Sequence, residues 1–406
     1  YIHNHHVISN VAATGGGWGT FEARGEQNDC LPVWLHNAGI HTGLYGKYLN
    51  EFPGDTTPAD YVPPGWDAFG VPTSKLENYT GYNYQFDDNG TLEDHGSAPA
   101  DFLNDVVTAK STDFIRTAPD GFFLELASYN PHRPAPVAER NKATHPDTIA
   151  PRTPNYNALG TNEPSWLAGR PLIRPSEQAA LDLLWRQRAQ SAESVADSVD
   201  AVMSTLQATG HADDTLVIVT ADNGYHAGSH RMTTGKRTAF REDTVVPMVA
   251  IGPGVKAGAR IDAMTSTIDL GPTFADVLGA TTPTWVDGRS LTPLLASGTA
   301  PTTWRTGVLS ENLGTSNPGD PDYEPGAPPQ FTALRTQDWL YVKYDSGERE
   351  LYDLRADPWE LDNIVGTADP NVLAALDAQL TALSTCSGDS CRVADSMTVP
   401  PPGSGL

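Results

Sequence analysis

Thr215 to Val255 reads TLVIVTADNGYHAGSHRMTTGKRTAFREDTVVPMVAIGPGV, and this stretch decides the architecture. Leu216, Val217, Ile218 and Val219 form a continuous apolar, β-branched run. Such a run predicts a strand buried on both faces, as in a parallel sheet covered by helices. Ala221, Asp222, Asn223 and Gly224 follow at its carboxyl end, where ligands bind in open α/β sheets. Asp222 and Asn223 offer two hard oxygen donors suited to Ca²⁺ or Mg²⁺. Gly224 is expected to give the turn a positive φ. His226, His230, Lys236 and Arg237 come next, so nitrogen donors gather beside the oxygen pair. A hard cation flanked by such donors is what a tetrahedral oxyanion ester requires. An isolated Asp-Asn-Gly is simply a turn; the surrounding spacing is what changes its meaning.

Composition frames the rest. The chain has 406 residues and a net charge of −24. Its length suits a large core and more than one structural unit. The negative balance argues against nucleic acid as a partner, since phosphate backbones need a basic surface. An anionic substrate must therefore be drawn by local charge. No apolar run reaches the length of a membrane span. Of three cysteines, Cys386 and Cys391 flank a short Gly/Ser loop that a disulfide could close, which favours an oxidising compartment. Two free thiols remain the other reading of that spacing.

Outward from the central stretch, several segments carry chemistry. Leu31, Trp34, Leu35 and Ala38 have helical spacing and lead into a short strand, Thr42–Tyr45, that ends at Gly46-Lys47-Tyr48-Leu49-Asn50. Residues 51–100 are rich in Gly, Pro, Asp and Tyr and read as a surface excursion. In it, Tyr82, Tyr84 and Phe86 alternate like an exposed strand, and Tyr79, Tyr82 and Tyr84 are candidates for the mouth of a site. A helix is expected over 101–117. Phe122–Ala127 is a second core strand, ending at Asn130-Pro131-His132-Arg133. Imidazole at that point suits proton transfer near neutral pH.

A proline-rich loop then runs to about 175. Ser176 is the expected N-cap of a helix to Ala208, with a break near Gln190-Ser191. Leu181, Leu184, Trp185, Val195, Val199, Val202 and Leu206 are expected on its core face, with Arg186 and Arg188 solvated. Beyond a Gly/Pro/Asp-rich stretch at 313–330 come antiparallel strands and a last helix over 370–384, then a mobile tail. A boundary in that stretch gives two units, 1–320 and 321–406.

These segments together resemble the sulfatases of the alkaline-phosphatase-like superfamily. The carriers are Asp222 to His226, Lys236 thirteen residues beyond Asn223, Asp243 before Val246-Pro247, and Gly252-Pro253-Gly254. Gly46-Lys47, Pro131-His132-Arg133-Pro134, Asp269-Leu270-Gly271-Pro272-Thr273, Asp287-Gly288-Arg289-Ser290-Leu291 and Glu350–Leu361 match further family elements. GKYLN is similar to the N-acetylglucosamine-6-sulfatase branch. Many arylsulfatases place a histidine where Leu49 stands, which leaves the base for sulfate release unassigned.

The resemblance implies an α/β alkaline-phosphatase-like sandwich. A large, mostly parallel central sheet would be flanked by helices, beside a smaller carboxyl-terminal subdomain with an antiparallel sheet and a helix. It implies Lys47, His132 and Lys236 as catalytic groups, Asn50 and His226 as substrate contacts, and Asp222 and Asn223 as ligands of Ca²⁺ or Mg²⁺. It also implies a formylglycine nucleophile, made from the Cys of a C-x-P-S-R motif by a formylglycine-generating enzyme. In Cys30-Leu31-Pro32-Val33-Trp34, Val33 and Trp34 stand where Ser and Arg are needed, so Cys30 reads as a packing residue. Tyr1–Val7 resembles the Y-x-H-N-x-x-V element that follows that motif. The nucleophile and the paired aspartates of the metal shell are therefore expected upstream, and the 406 residues alone are expected to be inactive. The implied substrate is a sulfated carbohydrate, with 6-O-sulfated N-acetylglucosamine favoured, met in a secreted or other oxidising compartment. A phosphodiester or phosphonate hydrolase on the same fold, or a catalytically silent binding protein, are the alternatives.

Overall fold

Residues 2–74, 77–314 and 326–403 are described by the computed structural model. The first sheet has the order β4-β3-β2-β1-β5, built from β1 (His41–Gly46), β2 (Ala68–Pro72), β3 (Tyr84–Asp88), β4 (Thr91–His95) and β5 (Phe122–Ala127). β1 lies parallel to both β2 and β5, while β3 and β4 add antiparallel strands at one edge. Alternation along β1 sends neighbouring side chains to opposite faces. Tyr45 packs with Phe86, Leu103, Val107 and Phe114, whereas Leu44 packs with Phe69 and Val71. Tyr84 and Phe86 are buried, so the alternation in that segment marks a core strand and not an exposed one. Gly46 closes β1 at φ 114°, and a Cβ there would sit 2.1 Å from the Ala127 carbonyl oxygen. Only glycine lets β1 and β5 come this close just before Lys47.

Two helices cover the Tyr45 face, α1 (Leu103–Thr117) and α2 (Pro175–Thr209). α2 is continuous through Gln190 and Ser191, with Arg174 as N-cap, so neither the break nor the Ser176 cap is found. Leu181 and Leu206 are buried and Val202 packs against the core as expected, but the buried positions in the middle of the helix are Gln190, Ser191, Ser194 and Ser198, and not Val195 or Val199. Apolar periodicity missed this because the seam with α1 is polar: Asn104 Nδ2 donates to Ser194 O at 2.8 Å and to Ser198 Oγ at 2.9 Å. Small hydroxyls let the helices approach and satisfy the buried amide. Arg188 is not solvated either. Its Nη1 donates to the Pro131 carbonyl at 2.8 Å, and its guanidinium lies 3.9 Å from the centre of the Tyr225 ring.

The central apolar run forms β6 (Val217–Thr220), which pairs antiparallel with β7 (Met248–Ile251) in a two-stranded ribbon. This corrects the expectation of a parallel strand buried on both faces. Leu216 and Ala250 pack with Leu291, Leu294, Leu295 and Trp304, while Val219, Met248, Val249 and Ile251 are exposed. Val217, on the opposite face, packs against the cluster that holds Leu206, so among the described residues each face of the run is covered only in part.

The carboxyl-terminal sheet is antiparallel in the order β11-β10-β9-β8, from β8 (Gly307–Asn312), β9 (Phe331–Thr336), β10 (Trp339–Tyr344) and β11 (Arg349–Asp353). The expected boundary stretch falls largely on 315–325, outside the described residues, and the strand before it pairs with the strand after it. One face of this sheet packs on α3 (Pro370–Thr385) through Leu334, Tyr341, Leu351, Leu376 and Leu380. The other face, with Leu340, Val342, Tyr344 and Tyr352, packs on Met232, Ala239 and Phe240 of the segment that carries Lys236. Within that layer Glu350 accepts from Tyr344 Oη at 2.7 Å and Tyr352 Oη at 2.9 Å. Arg305, just before β8, is buried between Asp269 and Asp395.

Cys386 and Cys391 form a disulfide. Cys30 is a free cysteine packed beside Trp18 and Phe21, and burial pushes its thiol up to about 12. The tail is docked as far as Pro400, whose carbonyl accepts from Trp339 Nε1 at 2.9 Å, while residues 404–406 lie outside the described set. No helix among the described residues is long and apolar enough to cross a membrane.

Candidate active site

Lys47 leaves the end of β1, its backbone N–H donating to the Ala127 carbonyl of β5 at 2.7 Å. Its ammonium lies 5.9 Å from the centre of the Tyr79 ring, and the His132 ring lies 4.7 Å from the same ring. Tyr79 therefore bridges two groups that sequence places far apart. His132 Nδ1 is 2.8 Å from the Arg133 carbonyl oxygen, which can only accept. That contact puts the proton on Nδ1.

The turn holding His132 is fixed from below. Asn130 Nδ2 lies within hydrogen-bond distance of Ser194 Oγ at 2.9 Å, of Pro136 O and of Ser191 O, and Arg188 holds Pro131 O. The serine seam of α2 thus sets the height of the His132 turn. Arg188 then connects this turn to Tyr225 in the Asp222 loop. Nothing in the sequence separates Arg188 from a solvated helix arginine, which is why it was missed.

The second cluster is the loop after β6. Asn223 Oδ1 accepts from Lys236 Nζ at 3.3 Å, and Asp222 Oδ1 accepts from the Asn223 N–H at 2.7 Å. Asp222 is exposed and Asn223 half-buried. Gly224 does not take a positive φ; it is needed because a Cβ would lie 2.0 Å from the Glu242 carbonyl oxygen. Close approach, not turn handedness, fixes that glycine. His226 is buried, with Nδ1 3.0 Å from both Asp243 carboxylate oxygens. Thr238 anchors the same carboxylate through its N–H at 3.0 Å and its hydroxyl at 2.7 Å. This buried pair draws the two ends of the Lys236 loop together.

A cavity of about 260 Å³ opens on this loop, and its lining includes Arg133, Arg170, His226, Thr234, Lys236 and Thr238. Arg133 reaches across to it and donates to Thr234 Oγ1 at 3.2 Å. Three cations and an imidazole share its wall, and among the described residues no carboxylate lines it. In a chain of net charge −24 this is a locally positive pocket. Asn50 stands apart from the cavity lining; its carbonyl accepts from the Trp18 N–H at 2.8 Å, at the end of the Lys47 segment.

Comparison with known proteins shows the family and the fold. The sulfatase family profile matches residues 1–280, and the profile of the N-sulphoglucosamine sulphohydrolase carboxyl-terminal region matches residues 228–385. The chain belongs to the sulfatase family. Human N-acetylglucosamine-6-sulfatase is 33% identical over 97% of this chain and 76% of its own length. In fold, the chain is similar to a protein solved in complex with its substrate D-glucosamine-2-N,6-O-disulfate (TM-score 0.79, 19% identity, covering 98% of this chain and 87% of that one). It is also similar to a phosphonate monoester hydrolase from Silicibacter pomeroyi (TM-score 0.66, 23% identity, covering 93% and 81%). The sulfatase fold is thus present as parallel strands flanked by helices beside a four-stranded antiparallel sheet.

Proposed function

We propose that this protein acts on sulfate esters of sugars, with 6-O-sulfated N-acetylglucosamine as the favoured substrate. The observation that carries the reading is the cationic cavity on the Lys236 loop. Human N-acetylglucosamine-6-sulfatase, similar over nearly the whole chain, supports the choice of sugar.

In this reading Lys236 and Lys47 stabilise the oxygens of the sulfate group, and His132 gives a proton to the departing sugar oxygen through Nε2. Arg188 and Asn130 position His132, and Arg133 and His226 complete the pocket wall. Asn50 contacts the substrate at the outer end of the Lys47 segment. The exposed carboxylate of Asp222 and the Asn223 carbonyl oxygen held by Lys236 form a hard donor pair that fits Ca²⁺ or Mg²⁺. When bound, such an ion supplies Lewis-acid polarisation of a sulfate oxygen. The residues do not fit a formylglycine. Cys30 lacks the Ser and Arg that would follow it, and Cys386 and Cys391 are joined to each other. No step is therefore assigned to a covalent nucleophile within these 406 residues. The disulfide suits a secreted or other oxidising compartment.

The test is equilibrium binding by calorimetry. We expect 6-O-sulfated N-acetylglucosamine to bind while the unsulfated sugar does not, and Lys236→Ala to weaken binding about 10- to 100-fold. Equal affinity for both sugars would overturn the site assignment. Tighter binding of an alkyl phosphonate would favour the phosphonate-hydrolase alternative. An aryl sulfate assay of the same chain should show no turnover, and robust turnover would reveal a nucleophile outside this account.

A further inference from the structure

Three segments converge at His230, Glu242 and Glu360. The first two residues lie in the Lys236 loop and its continuation, and Glu360 lies in the turn after β11. One ligand atom from each lies within 4.8 Å of the others. His230 and Glu360 are fully buried. Asn155, also buried, sits against the group: its Nδ2 is 2.8 Å from Glu242 Oε1, 3.3 Å from His230 Nε2 and 3.3 Å from the Trp359 carbonyl oxygen. An amide nitrogen has two hydrogens, so three acceptors leave one short. His230 Nδ1 and Glu242 Oε2 are buried with no hydrogen-bond partner.

Charge is also unbalanced. Arg335 pairs with Glu360 at 2.6 Å, and the Arg241 N–H donates to the other oxygen of Glu360 at 3.0 Å. Glu242 adds a second carboxylate beside them, and Glu163 and Glu360 both act on nearby Glu350. Arg335 answers one of the two carboxylates; a second carboxylate with an unpartnered oxygen, beside an unpartnered buried imidazole nitrogen, is a setting that a cation satisfies.

We propose that His230, Glu242 and Glu360 bind a divalent transition-metal ion, Zn²⁺, which fastens the Lys236 loop to the carboxyl-terminal sheet. One imidazole and two carboxylates suit Zn²⁺, whereas Ca²⁺ takes oxygen ligands. The His230 ring stacks on Phe240 at 3.9 Å between centroids, which fixes its plane. This site is distinct in residues and donor type from the Asp222–Asn223 pair. It does not depend on the proposed substrate, and its structural role would hold in a catalytically silent member of the family.

The experiment uses the whole 406-residue chain, stripped with a chelator and titrated with Zn²⁺, with Ca²⁺ in parallel. Bound metal is counted by elemental analysis and Tm is recorded. To keep the two sites apart, the titration is repeated in an Asp222→Ala, Asn223→Ala background. The expected result is about one tightly held Zn²⁺ per chain and a Tm that rises with Zn²⁺ but not with Ca²⁺, both unchanged in that background. Glu242→Gln should abolish the bound Zn²⁺ and the Zn²⁺-dependent rise. Its metal-free Tm should equal or exceed that of the parent chain, because an unpaired buried charge is gone. Co²⁺ loaded in place of Zn²⁺ should give a visible absorption band that His230→Gln removes. Should either variant fail to fold, the metal count and Tm response of the parent chain decide the matter. Absence of bound Zn²⁺, or binding that survives both Glu242→Gln and His230→Gln, would overturn the proposal.

Discussion

Replacing Glu350 by Gln should change how stability depends on pH. Glu350 is fully buried in β11, between the hydroxyls of Tyr344 and Tyr352. Two neutral donors do not offset the loss of water, and burial pushes its carboxyl from 4.5 up to about 8. The folded chain therefore keeps a proton on Glu350 that the unfolded chain has released. Because the folded value is the raised one, the stabilisation is complete below about 4.5 and is lost as pH climbs through about 8. At about 1.4 kcal/mol per pK unit, the whole window spans roughly 5 kcal/mol, of which roughly 3 is gone by pH 7. Gln has nearly the same shape and no proton to lose, so any cost of its amide is a constant offset. Urea midpoints for both proteins from pH 5 to 9 test this. The stability of the wild type relative to Glu350→Gln should fall by about 1.4 kcal/mol per pH unit between pH 5 and 8. Parallel curves across that range would refute the reasoning. The result bears on the site, because this layer packs under Met232, Ala239 and Phe240 of the Lys236 loop.

Three further outcomes follow from the geometry. Gly46→Ala drives a methyl into the Ala127 carbonyl at a left-handed φ and should cost about 3 kcal/mol in chemical denaturation. Arg305→Met leaves Asp269 and Asp395 buried without their guanidinium and should cost about 3 to 5 kcal/mol; a loss below 1 kcal/mol would mean water reaches them. Arg188→Ala frees Pro131 and Tyr225, so affinity for the sulfated sugar should drop about 10-fold while near-UV circular dichroism stays native. Unchanged affinity would remove Arg188 from the positioning of His132.

Much of the fold was legible because its signals are local. β1, β5 and α3 announce themselves by apolar spacing, and Gly46 marks the end of β1. Motif spacing singled out the His132 turn and the Asp222 loop, and the structure sets His132 beside Tyr79 and Lys236 beside Asn223. The illegible parts depend on what lies opposite. Ser191, Ser194 and Ser198 look like a polar helix face until Asn104 and Asn130 are found against them. Arg188 looks solvated until Tyr225 covers it. Leu216–Val219 looks doubly buried because an apolar run carries no record of how much of each side is covered. Gly224 was located correctly for the wrong reason, since a close approach of two chains leaves the same residue as a left-handed turn.

The buried thiol of Cys30 has a practical consequence. With Cys386 and Cys391 joined, it is the remaining cysteine in the chain, and a thiol held near 12 presents almost no thiolate at pH 8. Alkylating reagents should react with the native protein only when the Trp18–Phe21 cluster opens. A single mass shift, followed over time, would then clock the breathing of the segment that leads into Lys47 without any introduced label.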